Sequence, residues 1–116
     1  MVTVTNTFER FFAKATNIST ASVTGAIAAG TDIIVTGLIV ANTHASLAIG
    51  VNVYINDGSA DYYLIKGNVV PFSESLIAIG WDQKVVLKST DTLHVTTTTA
   101  GHTADVSVSV LKIVTA

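Results

Sequence analysis

An all-β sandwich is the fold class this sequence predicts, and three observations lead to it. First, short runs rich in Val, Ile and Thr recur between turn residues at intervals of about 8 to 12 positions, the spacing of sandwich and barrel strands. Second, Asp57-Gly58 stands between two alternating apolar runs, Val51-Asn52-Val53-Tyr54-Ile55 and Tyr62-Tyr63-Leu64-Ile65. Third, Ala104, Val106, Val108 and Val110 alternate with Asp105, Ser107 and Ser109, so one face of that segment is apolar and the other polar. The expectation is a single antiparallel β-sandwich, jelly-roll or immunoglobulin-like, of about eight or nine short strands.

The hairpin is the firmest element. Asp-Gly tolerates the positive φ that a tight turn between right-handed twisted strands requires, and with Ser59, Ala60 and Asp61 beside it the loop can exceed two residues. Upstream, residues 1–7 read as an N-terminal arm or edge strand, with residues 8–116 forming the sandwich domain. Phe8, Phe11, Phe12 and Ala15 fall at helical spacing, yet the all-β context favours a strand there, with Phe8, Arg10, Phe12 and Lys14 on one face. Asn17 to Ala29 predicts a short strand with Val23 and Ile27 inward.

Asp32 to Asn42 carries Ile33-Ile34-Val35-Thr36-Gly37-Leu38-Ile39-Val40-Ala41. Such density of β-branched residues predicts a central strand buried on both faces, with Gly37 marking a bulge. Asn42 to Ser46 makes a loop, and Lys66-Gly67-Asn68 a turn. Pro71 belongs at a strand start or edge, where its missing N–H breaks no ladder bond. Strands follow at Glu74 to Gly80 and Lys84 to Lys88, then at Thr92 to Thr96 with Leu93 and Val95 inward and His94 outward. In the last strand both faces become apolar beyond Val110, at Leu111 and Ile113, which predicts cover from the N-terminal segment or a neighbouring subunit.

Composition narrows the function classes. Charged residues make up 12% of the 116 residues against 49% hydrophobic, and mean hydropathy is +0.58. A membrane-spanning helix needs roughly 18 or more apolar residues in succession, whereas the run Gly37 to Ala41 ends at Asn42. With so little charge to coat a surface, part of that surface is expected to be covered by other copies or partners. A net charge of -2, with six Lys and Arg against eight acids, offers no basic stripe for nucleic acid. There is no cysteine, hence no disulfide or thiolate metal site, and no secretory signal pattern opens the chain.

Catalytic chemistry is not evident. His44, His94 and His102 have no ligand partner at metal-binding spacing, and Asp32, Asp57, Asp61, Asp82 and Asp91 sit beside turns, where a short acceptor bonds the local backbone. No nucleophile elbow or phosphate loop is present. The expectation is a protein that is not an enzyme and takes no cofactor or metal. Tyr54, Tyr62, Tyr63 and Trp81 are candidates either for packing at the core or an interface, or for a shelf stacking a host glycan.

The run Gly30-Thr31-Asp32-Ile33-Ile34-Val35-Thr36-Gly37-Leu38-Ile39-Val40-Ala41-Asn42-Thr43, with Ile49 to Tyr54 and Asp82 to Val95 after it, resembles small all-β virion proteins of tailed bacteriophages. In that family a Leu-x-x-Gly-Asp turn precedes a later strand, and here Thr90 stands in the place of its glycine. The resemblance, over residues 8 to 113, implies a β-sandwich and a structural role on the capsid surface or along the tail and neck. It implies as partners other copies of the chain and a major capsid or tail protein. On this reading the interface candidates are Tyr54, Tyr62, Tyr63, Trp81, Leu111 and Ile113, and the alternative is a carbohydrate- or receptor-binding module of a phage tail, neck or fibre.

Overall fold

The computed structural model describes residues 3–16, 22–80 and 82–115. Its eight strands are β1 (Val4–Ala15), β2 (Thr31–Asn42), β3 (Ile49–Asn56), β4 (Asp61–Val70), β5 (Ser75–Ile79), β6 (Val85–Leu87), β7 (Thr92–Thr97) and β8 (Ala104–Thr115). They form two antiparallel sheets, a larger one in the order β1-β8-β2-β5 with β6 also on β2, and a smaller one in the order β4-β3-β7. Among the described residues no helix is long and apolar enough to cross a membrane.

The pairing follows one rule. β3 pairs with β4 across the Asp57–Ala60 turn, β2 pairs with β5 and β6, and β1 pairs with β8. Between β1 and β2 the chain bonds to β7: the Thr97 N–H donates to the Thr16 carbonyl (2.9 Å) and the Val23 N–H to the Leu93 carbonyl (2.8 Å). The chain is thus one long hairpin, tipped at Asp57-Gly58 and rolled so that its successive rungs alternate between two sheets. That is the jelly-roll scheme, and it decides between the two sandwich types the sequence allowed.

The alternating residues supply the core. Val35, Leu38, Val40, Val106, Val108 and Val110 of the larger sheet face Ile49, Val51, Val53, Leu93 and Val95 of the smaller. Each such side chain contributes on the order of 1.5–3 kcal/mol by leaving water.

The favoured strand reading of Phe8, Phe11, Phe12 and Ala15 holds against their helical spacing, because β8 offers twelve consecutive partners from Val4↔Thr115 to Ala15↔Ala104; several other expectations change. Residues 22–30 contain no strand, although Ile27 is buried in the core and Val23 packs against it; residues 17–21 lie outside the described residues. Lys66-Gly67-Asn68 is a bulge within β4 rather than a turn. The register passes from Val51↔Asn68 to Val53↔Ile65, Gly67 takes φ 68°, and its N–H donates to the Asn52 side chain at 2.8 Å. Finally, β2 is central but covered on one face only: Ile33, Val35, Leu38 and Val40 are buried, while Ile34 is half-buried and Ile39 exposed.

Candidate interaction surface

The outer face of the larger sheet is where the side chains left over from the core collect. Strand alternation turns Phe8, Arg10, Phe12 and Lys14 of β1 outward, since Phe11, Ala13 and Ala15 point in against Val108, Val106 and Ala104. Cross-strand register then builds two apolar bands. In one, Phe12 lies beside Ser107, Ser107 beside Ile39, and Ile39 beside Ile77. In the other, Phe8, Leu111, Ile34 and Val86 run across β1, β8, β2 and β6. Phe8 is 81% exposed, Phe12 66% and Ile77 67%.

A trough follows β8, because its outward residues Asp105, Ser107 and Ser109 are small beside Lys14, Phe12 and Arg10 of β1, with Ile39 rising on the β2 side at Ser107. At the Phe12–Ile39 crossing the trough opens into a hollow of about 560 Å³ bounded by Ala41, Asp105 and Lys14. The few charges are already engaged. Lys14 pairs with Asp105 at 2.8 Å, and the Arg10 guanidinium lies 5.0 Å over the Phe12 ring. Such a surface can bury apolar area against a partner.

The predicted site residues do not form one site. Leu111 and Ile113 are half-buried on this trough's far end, flanked by β1 and β2. Tyr54 is on the opposite side of the molecule, on the outer face of the smaller sheet. There it is 6% exposed beneath Tyr63 (ring centroids 5.1 Å apart) and stacked on His94 (5.0 Å, 16°). Tyr62 pairs with Ile55 and Tyr63 with Tyr54, so these adjacent tyrosines project from opposite faces of β4. No single shelf holds both. Trp81 lies outside the described residues.

Reading the sequence missed two features. The favoured strand reading put Phe8 and Phe12 on one face, but nothing in the local sequence marked that face as open. The second is a contact between loops: His44 and His102 meet edge-to-face with ring centroids 4.7 Å apart, a proximity that only the tertiary fold creates. His44 Nδ1 accepts the N–H groups of Ser46 and Leu47 at 3.1 and 3.0 Å, whereas His102 Nδ1 is buried without a hydrogen-bond partner. Among the described residues no group of three or more metal-ligating side chains gathers around them.

No protein-family model and no curated protein matches the sequence. Among solved structures, the chain is similar to a viral one. It is titled "Structure of infectious bursal disease virus Gt strain", and the likeness has a TM-score of 0.43 and 15% identity over 98% of this chain. The match takes in 33% of that chain, so the present protein spans about a third of its length.

Proposed function

We propose that this chain is a non-enzymatic structural protein of a tailed-bacteriophage virion, acting as a capsid decoration or cement protein through many-copy protein contacts. The observation that carries the reading is the open apolar face of the larger sheet, with Phe8, Phe12, Ile39, Ile77 and Val86 exposed around the β8 trough. Buried against a major capsid protein, that face gains about 25 cal/mol for each Å² of apolar surface removed from water. A partner bound only to the assembled, folded shell stabilises it by mass action. The low charge of the chain and its resemblance to small all-β phage virion proteins support the same reading.

Of the three tyrosines the carbohydrate-binding alternative names, only Tyr63 is exposed on the outer face of the smaller sheet, since Tyr54 is covered and Tyr62 faces the other way. Quantitative mass spectrometry of purified particles tests the proposal. Many copies per particle are expected; absence from virions, or presence in one or two copies, refutes the decoration role.

A further inference from the structure

Four strand edges close the two sheets, and three of them are blunted. The free side of β7 is bonded by Thr16 and Val23. The β5/β6 edge is broken into pieces of five and three residues. β4 carries two register shifts and the positive-φ Gly67. Short strands, bulges and covering segments are the means by which proteins stop sheets from extending into one another.

β1 has none of these. It runs for twelve residues, keeps an unshifted register with β8, contains neither Gly nor Pro, and among the described residues pairs on one side only. Its N-terminal part, from Val4 to Phe8, is exposed throughout. Its charges are engaged within the sheet: Glu9 with Lys112 at 3.6 Å and Lys14 with Asp105 at 2.8 Å, both on β8, and Arg10 over Phe12 along β1 itself.

We infer that β1 is a self-pairing edge, through which two copies join antiparallel about a two-fold axis at Phe8 to make one continuous sheet. The occupant is a second copy because charge and exposure together single out one symmetric register. Centring the axis on Glu9 opposes Glu9 to itself, and centring it on Arg10 opposes Arg10 to itself. Axes at Phe8 and at Phe11 avoid like-charge pairs over equal lengths, but the Phe11 register runs into Thr16, whose carbonyl already accepts the Thr97 N–H, whereas the Phe8 register, from Thr3 opposite Ala13 to its mirror, covers the exposed stretch from Val4 to Phe8. On the outer face it sets Phe8 against Phe8, Asn6 against Arg10 and Val4 against Phe12. Aromatic and aromatic–aliphatic pairs across strands are favourable, and opposed like charges are not. The two apolar faces then merge into one isologous surface of doubled area. This identifies the self-contact that the structural role requires, and so rests on that reading.

Cysteine cross-linking in the full chain, which has no cysteine of its own, tests the register. Directly opposed residues in an antiparallel pair have Cα atoms about 4.5–5.5 Å apart, within disulfide reach. Under mild oxidation Phe8→Cys should therefore give a covalent dimer. Asn6→Cys and Arg10→Cys should each cross-link poorly alone and efficiently when mixed. Wild-type protein should sediment as a dimer, and Phe8→Lys should raise the dimer Kd by about tenfold or more with an unchanged far-ultraviolet circular dichroism spectrum. Equal cross-linking at all three positions overturns the register. A wild-type monomer at about 100 µM, where a micromolar Kd would populate the dimer, overturns the pairing. A monomer that still coats particles leaves the virion role standing without the pairing, and a dimer absent from particles does the reverse.

Discussion

The outer faces of the two sheets are built by the same strand alternation and end in opposite chemistry. On the smaller sheet the outward side chains satisfy one another: Tyr54 is sandwiched by His94 and Tyr63, Lys66 lies 5.0 Å over the Tyr63 ring, and Asn52 takes the Gly67 N–H and reaches Thr96. Its exposed aliphatics, Leu64 and Val69, stay on the edge strand β4. On the larger sheet Phe12, Ile39 and Ile77 form a band across the sheet with only Ser107 between the first two. Exposed apolar side chains scattered singly are ordinary; a continuous band is an unfinished contact. One face is complete within the chain, and the other leaves its apolar side chains open.

Truncation separates the two faces most sharply. Tyr54→Ala removes a buried ring from the smaller sheet and should cost about 3–5 kcal/mol in urea unfolding. Phe12→Ala, on the open face, should leave monomer stability within about 0.5 kcal/mol while weakening attachment to particles. Similar losses from both, with an unchanged denaturant slope, would mean that Phe12 belongs to the folding core and that the contrast between faces is false.

Where β2 leaves the larger sheet for the smaller, Asn42 ties the crossing together. Its Nδ2 shares two hydrogens among the carbonyls of Leu47 (2.9 Å), Val70 (3.1 Å) and Pro71 (3.2 Å), and its Oδ1 accepts the His44 N–H at 2.8 Å. Because the site is buried, Asn42→Ala strands polar groups away from water and should cost about 1–3 kcal/mol. Asn42→Asp retains the acceptor and loses both donors, so its unfolding midpoint should fall near that of Asn42→Ala. A midpoint near wild type would assign the stability of this crossing to packing instead.

The course of the fold was largely legible from one short stretch. The Asp57-Gly58 hairpin, found from turn chemistry and flanking alternation, is the tip from which every later rung pairs: β3 with β4, β2 with β5 and β6, β1 with β8. Alternation also identified Leu93, Val95 and the valines of β8 as inward. It could not tell whether an outward face is covered. The β-branched density of β2 therefore read as burial on both faces, when Ile34 and Ile39 belong to the open face. Leu111 and Ile113 were legible as apolar side chains on the second face of β8, and the strand reading set Phe8 and Phe12 on one face of β1 without showing that this face stays open. Nor does local sequence carry contacts such as His44 with His102, which depend on two loops meeting at one end of the roll.

The hairpin tip gives the smallest effect and the finest check on the self-contained character of the smaller sheet. The N–H groups of Ala60 and Ser59 donate to Asp57 Oδ1 at 2.9 and 3.0 Å. Led by the Ala60 bond, they hold its carboxyl below the ordinary value of 3.8. A group whose folded pKa is depressed adds stability that is complete above its unfolded pKa and fades as pH falls through the folded value. The tip should therefore be tightest at neutral pH and loosen under acid. Asp57→Asn keeps an acceptor for both bonds but cannot titrate. Between about pH 6 and pH 2.5 the wild type should lose more stability than this variant, with the excess modest because the group is solvent-exposed. Equal acid sensitivity in the two proteins would mean that the Asp57 bonds at the tip contribute nothing to the loss of stability in acid.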